Sequence, residues 1–398
     1  MSMMNFSEFL KRLLIVSLFS TLLLTVSAQS RRVSLLTCSP GEEVYALFGH
    51  TAIRVVDEAA GIDVVFNYGL FSFDEPHFIW RFVLGETDYL LGAIDYEYFL
   101  GEYAIRGSGV TEQVLNIDDA QAARLMNALV VNSMPANRKY RYNFFYNNCT
   151  TKARDKIFEV LDGSTIVYNT SSVGEIMSFR DILHLYTDVN LWARFGIDLL
   201  LGAPADIKAG RDGAQFAPLI FKNELADASI ESASDTIPLV AEQNELLLPE
   251  EKTDVVNNLT PFNVSLLFLL FTLVVMLIEK RTRRCYWGWD ILLMGLQGVA
   301  GLLLAFMVLF SEHPAVDVNW LLIWLNPLPL FILPIYIHSV RKGKKAIVLW
   351  LEVVMILAFI VASPFVSQYF PPALYPFAIA ILSRSLFEIY KKNICALD

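Results

Sequence analysis

The sequence predicts an α+β extracytoplasmic domain followed by a bundle of five transmembrane helices. Three observations carry this: an export-like start, a middle third that mixes strand and helix patterns, and long apolar spans confined to the last third. The 398 residues are 55% hydrophobic, and the mean hydropathy is +0.46. Soluble domains of this size rarely reach such values, so lipid solvates part of the chain.

Lys11 and Arg12 precede the apolar run Leu13 to Val26, and Val26-Ser27-Ala28 offers small residues before Gln29. This order of charge, apolar run and small residues reads as a cleaved signal peptide over residues 1–28, with an uncleaved anchor helix as the alternative. Leu35-Leu36-Thr37-Cys38 is superficially a lipidation box, but it follows Arg31 and Arg32 instead of ending the apolar run, so a lipoprotein reading is rejected.

Residues 29–223 are long enough to bury a core of their own. Ala52 to Val56 and Val64 to Tyr68 are β-branched runs separated by Asp57-Glu58-Ala59-Ala60-Gly61, which predicts a hairpin. Val110 to Ile117 is a further strand. Asp118 to Val131 opens on acidic capping residues and spaces Ala122, Leu125, Ala128 and Leu129 as one helical face. Asn148 is a good N-cap and opens a helical run from Thr150 to Leu161.

Glu224 to Asp254 holds nine acidic residues and one basic residue, Lys252. With little periodicity, residues 224–261 are expected to be a solvated acidic linker. Residues 262–398 form the membrane domain, with spans near Phe262 to Ile278, Trp287 to Phe310, Val318 to His338, Ala346 to Tyr369 and Pro372 to Ile389. Basic residues in short loops stay cytoplasmic. They fall at Lys280, Arg281, Arg283 and Arg284, at Arg341, Lys342, Lys344 and Lys345, and at Lys391 and Lys392. The domain before the spans is therefore placed outside the cytoplasm, in agreement with the export signal.

The formal charge of −10 argues against nucleic acid as a partner, because a phosphate backbone calls for a basic surface. Four cysteines over this length are not a disulfide scaffold. Cys38 and Cys149 share the oxidising side, where a bridge between them would silence both. No spaced His and Cys cluster favours a metal site, and no cofactor is expected.

The residues that carry chemistry are His50, at the start of the first hairpin strand, and Cys149, at a helix N-terminus where a thiol tends toward thiolate. Thiol acyl transfer needs a nucleophile, a base, a group that orients the imidazole and a donor for the oxyanion. Cys149 is the candidate nucleophile, His50 the base and the Cys149 amide the donor, with Lys152 and Arg154 as helpers. A hairpin turn centred near Ala59 and Ala60 pairs Asn67 with Ala52 and puts Asn67 on the face of His50, so Asn67 is the chosen orienting residue. Asp63 is the alternative. The bland reading of the pair is a satisfied core histidine and a small buried thiol. His77 reads as a loop or rim residue, with service to the site as the alternative, and His184, in an amphipathic helical stretch, as structural; His313 and His338 fall at membrane boundaries with no convincing partner. The aromatic residues Phe71, Phe73, Phe78, Trp80 and Phe82 form either core or a membrane-facing apolar lip.

A histidine in a Gly-His-x-Ala-Ile strand, followed later by Asn-Cys at a helix start, resembles the circularly permuted papain-like fold of NlpC-like hydrolases. More closely, Leu35 to Gly41, Phe48 to Arg54, Asn67 to Gly69 and Asn148 to Thr151, with a five-helix membrane domain after them, resemble Lnb-type lipoprotein N-acyltransferases. That resemblance implies transfer of a fatty acyl chain from a membrane phospholipid donor, through a Cys149 thioester, to the amino-terminal diacylglyceryl-cysteine of bacterial lipoproteins at the inner membrane. A cell-wall amidase or peptidase, or a noncatalytic assembly factor, are the rival readings.

Overall fold

The computed structural model describes residues 31–250 and 259–391, apart from 42, 44, 72, 73, 75, 162, 233, 234, 343 and 345. The expected signal peptide and Phe73 lie outside the described residues. The N-terminal domain is mixed α/β, and a helical region with several apolar helices follows it.

Strands β1 (Arg31–Cys38), β2 (His50–Asp57), β3 (Ile62–Leu70), β4 (Asp88–Asp95), β5 (Val110–Leu115), β6 (Lys139–Arg141) and β10 (Val240–Leu247) form one antiparallel sheet in the order β10-β5-β1-β2-β3-β4-β6. A small second sheet holds β7 (Thr165–Tyr168), β8 (Ala228–Glu231) and β9 (Thr236–Pro238). Helices α1 (Phe78–Leu84), α2 (Tyr96–Ile105), α3 (Asp119–Ser133) and α4 (Cys149–Glu159) follow in chain order. After them come α5 (Phe179–Thr187), α6 (Leu191–Leu200), α7 (Gly210–Ala214) and α8 (Pro218–Asp227).

Side chains alternate across a strand, and the sheet uses both faces. Leu35, Ile53, Val55, Phe66 and Tyr68 pack with Leu125 and Leu129 of α3 and with Ala153 and Ile157 of α4. Leu36, Cys38, Ala52 and Val65 pack on the other side with Phe99 and Tyr103 of α2. The β2–β3 register pairs Ile53 with Phe66 and Asp57 with Ile62; extended by one residue, it sets Asn67 opposite Ala52. Asp118 caps α3 with a full capping box, its carboxylate accepting from the Gln121 amide, an arrangement worth about 1 kcal/mol.

The expected acidic linker is corrected by the structure. Glu224 lies in α8, where it accepts hydrogen bonds from Ser172 and, at 2.7 Å, from Gln215. Residues 240–247 are a sheet strand paired with β5. Its charges misled the linker reading because β10 stands at the sheet edge, where charged side chains facing water are the ordinary means of blocking further strand pairing. Leu239, fully buried, anchors the strand's start in the main core. Residues 251–258 lie outside the described set.

In the C-terminal region, α9 (Pro261–Thr282), α10 (Trp287–Phe310), α11 (Leu328–Arg341), α12 (Leu349–Ala362) and α13 (Leu374–Tyr390) pack together. Three helical stretches among the described residues are long and apolar enough to cross a membrane: Pro261–Thr282, Trp287–Phe310 and Trp320–Arg341; Leu349–Phe365 is a shorter apolar helix. The third stretch is broken between the 3₁₀ turn Trp320–Ile323 and α11. Asn326 and Pro327 cause the break, since proline has no amide to continue the helix. Gln297 of α10 donates to the Trp324 carbonyl at 2.8 Å and so satisfies one group that the break frees. Arg384 of α13 is paired with Glu279 at 2.8 Å and Asp290 at 2.6 Å, which ties α9, α10 and α13 into one unit.

Candidate active site

The end of the central sheet meets the start of α4, and three sequence-selected side chains converge there. Asn148 fixes the helix start. Its Oδ1 accepts from the Thr150 and Thr151 amides, each at 2.9 Å, while its Nδ2 donates to the Phe144 and Phe216 carbonyls at 2.9 and 2.8 Å. With those two amides taken, the Cys149 amide stands at the first helical position, where an intrahelical acceptor does not exist. Thr51 and Thr150 hydroxyls meet at 3.1 Å and hold the start of β2 against the start of α4.

The His50 imidazole and the Cys149 side chain lie side by side, a Cβ on Gly69 meeting His50 Cε1 and Cys149 Cβ at 3.7 Å each, and each shifts the other's pKa toward the charged form. His50 Nε2 lies 2.6 Å from Asn67 Oδ1. Because an amide oxygen only accepts, Nε2 carries a proton in this bond, which leaves Nδ1 as the ring nitrogen available to exchange a proton with the thiol. The Tyr103 ring lies parallel to the imidazole at 6.3 Å and walls its far side.

The electrostatics favour an ion pair. Burial would raise the Cys149 pKa, but the His50 charge, its hydrogen bond, the Thr51 amide and the Thr150 hydroxyl together hold it below the ordinary value of 9.0. Burial would lower the His50 pKa, yet the Cys149 charge and the bonds to Cys149 and Asn67 hold it above 6.5. Both shifts favour thiolate beside imidazolium.

The runner-up Asp63 is elsewhere: it forms a two-pronged pair with Arg54, at 2.8 and 2.6 Å, on the far reach of the hairpin. Arg154 is turned away, bonded to Asp155 and the Asp212 carbonyl. Lys152 lies 5.2 Å from the Tyr140 ring centre, with its pKa lowered by burial. His184 is held by Asp198 at 2.9 Å and Arg194 at 2.7 Å, a structural role.

Two features of the site had no role assigned from the sequence. Gly69 has φ +95°, and a Cβ there would sit 3.7 Å from Cys149 Cβ, 3.7 Å from His50 Cε1 and 4.0 Å from the Tyr140 hydroxyl. The absent side chain leaves the space in front of the thiol open. The Tyr140 hydroxyl is buried on the rim of that space without a well-formed hydrogen bond, and the Gly69 amide faces its oxygen. Burial, then the neighbouring thiolate, raises its pKa, so the phenol keeps its proton. A lone tyrosine in a three-residue strand carries no sequence signal for such a place.

Cys38 and Cys149 are both free thiols. Cys38 is 0% exposed, and burial raises its pKa far above the thiol range. Iodoacetamide on the folded protein at neutral pH is expected to label Cys149 and spare Cys38 until the chain is unfolded. Peptide mapping checks this, and comparable native labelling of Cys38 would contradict the assigned environments.

No curated protein and no solved structure matches the chain. Two family models do: the Lnb N-terminal periplasmic domain over residues 19–183 and the Lnb transmembrane domain over residues 250–393. The two matches cover most of the chain in the order of its two folded parts, and the chain therefore belongs to the Lnb family.

Proposed function

We propose that the protein is a lipoprotein N-acyltransferase that works through a Cys149 acyl-thioester. The observation that carries this reading is the Cys149–His50–Asn67 constellation, built on the N-terminal domain of a membrane protein. The thiolate attacks an ester carbonyl of a membrane phospholipid. The oxyanion is stabilised by the Cys149 amide and the Tyr140 hydroxyl, and imidazolium His50 gives its proton to the departing lysophospholipid oxygen. The α-amine of a diacylglyceryl-cysteine then attacks the thioester. Neutral His50 removes the amine proton, the amide forms and the thiolate is released.

Asn67 acts as a positioning residue by accepting from Nε2. The domain stands in the periplasm and the helices make five passes through the inner membrane, so both lipidic substrates reach the site within one surface. Mass spectrometry of lipoprotein amino-terminal peptides tests the function. Cells relying on this chain should carry a fatty amide on the terminal cysteine; a free amine there would refute the reading. Release of peptides from purified cell wall would favour an amidase instead.

The thiol-acylation half-reaction is expected to have a bell-shaped pH profile. Its acid limb lies below 9.0 and its alkaline limb above 6.5, because the thiolate pKa is lowered and the imidazolium pKa raised. Activity falls below the acid limb as the thiolate is protonated and above the alkaline limb as the leaving-group proton is lost; both limbs belong to the coupled pair. Asn67→Leu removes an acceptor that favours imidazolium, so its alkaline limb should move to lower pH. An unmoved limb would remove Asn67 from the site.

A further inference from the structure

Helix α1 lies where the N-terminal domain meets the membrane helices. Its end is clamped to the end of α10: the Ser311 hydroxyl donates to the Val83 carbonyl at 2.8 Å, and the Glu312 amide donates to the Leu84 carbonyl at 2.8 Å. The Trp80 ring is 4.9 Å from Phe306, one turn inside the end of α10 at Phe310. Since α10 is long and apolar enough to span a bilayer, Trp80 sits at the level of the hydrocarbon boundary. Ile79 and Trp80 are 73% and 55% exposed. Such side chains on a short helix at this level are placed to enter lipid.

From α1 a run of stacked rings leads inward. Phe78 stacks on Phe71 at 5.4 Å, Phe71 on Tyr89 at 4.9 Å and Tyr89 on Tyr142 at 4.1 Å. Tyr89 pairs with Tyr140 in the β4–β6 ladder, and the Tyr140 hydroxyl shares with Cys149 the space in front of Gly69, so the run ends at the site. An acyl chain drawn from a bilayer to a thiol needs an apolar wall along its way, because each methylene left in water is unfavourable. These rings form an apolar run that starts on α1; Phe71 and Tyr142 are half-buried, and Phe78 and Tyr89 show only 7% of their surface.

We propose that α1 dips Ile79 and Trp80 into the adjoining leaflet and that the rings Phe78, Phe71, Tyr89 and Tyr142 guide one acyl chain of the donor phospholipid to Cys149. This rests on Cys149 being the acyl-accepting nucleophile. The occupant is the donor's chain, since the run begins at Phe78 on α1, the same short helix whose Trp80 packs on Phe306 of the membrane helix α10.

The test uses the full chain in vesicles of dipalmitoyl phosphatidylethanolamine and phosphatidylglycerol, with thioester formation on Cys149 read by intact mass. A second arm offers p-nitrophenyl butyrate, a water-soluble ester that needs no lipid entry. Ile79→Ser with Trp80→Ser is expected to slow acylation from vesicles by about ten-fold or more, and to leave the butyrate rate unchanged, which also shows that the site is folded. An undiminished vesicle rate overturns the proposal, and so does an equal loss with both esters. Failure of the wild-type chain to acylate with either ester refutes the nucleophile reading itself and takes this proposal with it.

Discussion

Replacing Cys149 by alanine will lower N-acylation of lipoprotein amino termini by about 10³-fold or more, the loss expected when a covalent nucleophile is removed. The change deletes one sulfur at the first position of α4. Asn148 continues to cap that helix through the Thr150 and Thr151 amides, so melting should be nearly unchanged. A serine fares little better: its hydroxyl ionises far above the range that His50 can reach. Mass spectrometry of amino-terminal lipopeptides from cells with only the variant measures this. Wild-type levels of fatty amide would sink the covalent mechanism.

The second large effect belongs to His50. In His50→Gln the charge that most strongly lowers the Cys149 pKa is lost, as is the hydrogen bond to the sulfur. Burial then acts unopposed by that charge, and the thiol becomes protonated at neutral pH. General acid assistance to the leaving oxygen disappears as well, so the acylation rate should fall about 10²- to 10⁴-fold. The shape of the remaining profile is diagnostic: activity should climb with pH as thiolate forms, without the alkaline fall of the wild type. A variant that keeps the bell would assign the imidazole to structure instead of proton transfer.

Local chemistry was the part of this fold that could be read in advance. The hairpin between β2 and β3 has its register set by a short polar turn and by alternation of β-branched residues, and this alone placed Asn67 beside His50. The capping boxes at Asp118 and Asn148 likewise involve neighbours in the chain. What failed was long-range. Strand β10 pairs with β5 more than a hundred residues earlier, and an edge strand's charges imitate a linker. Tyr140 reaches the site only because β6 pairs with β4, which in turn pairs with β3. The break at Asn326 hid inside an apolar span because hydropathy does not register backbone interruption.

The central claim is that Cys149 carries the acyl group between donor and acceptor. Its most direct measurement is peptide mapping of the full chain after incubation with phospholipid vesicles in the absence of any lipoprotein. The account predicts one fatty acyl adduct, on Cys149, that hydroxylamine removes and that a lipoprotein amine consumes. Formation of N-acyl product with Cys149 never acylated, or with the adduct on another residue, would contradict it.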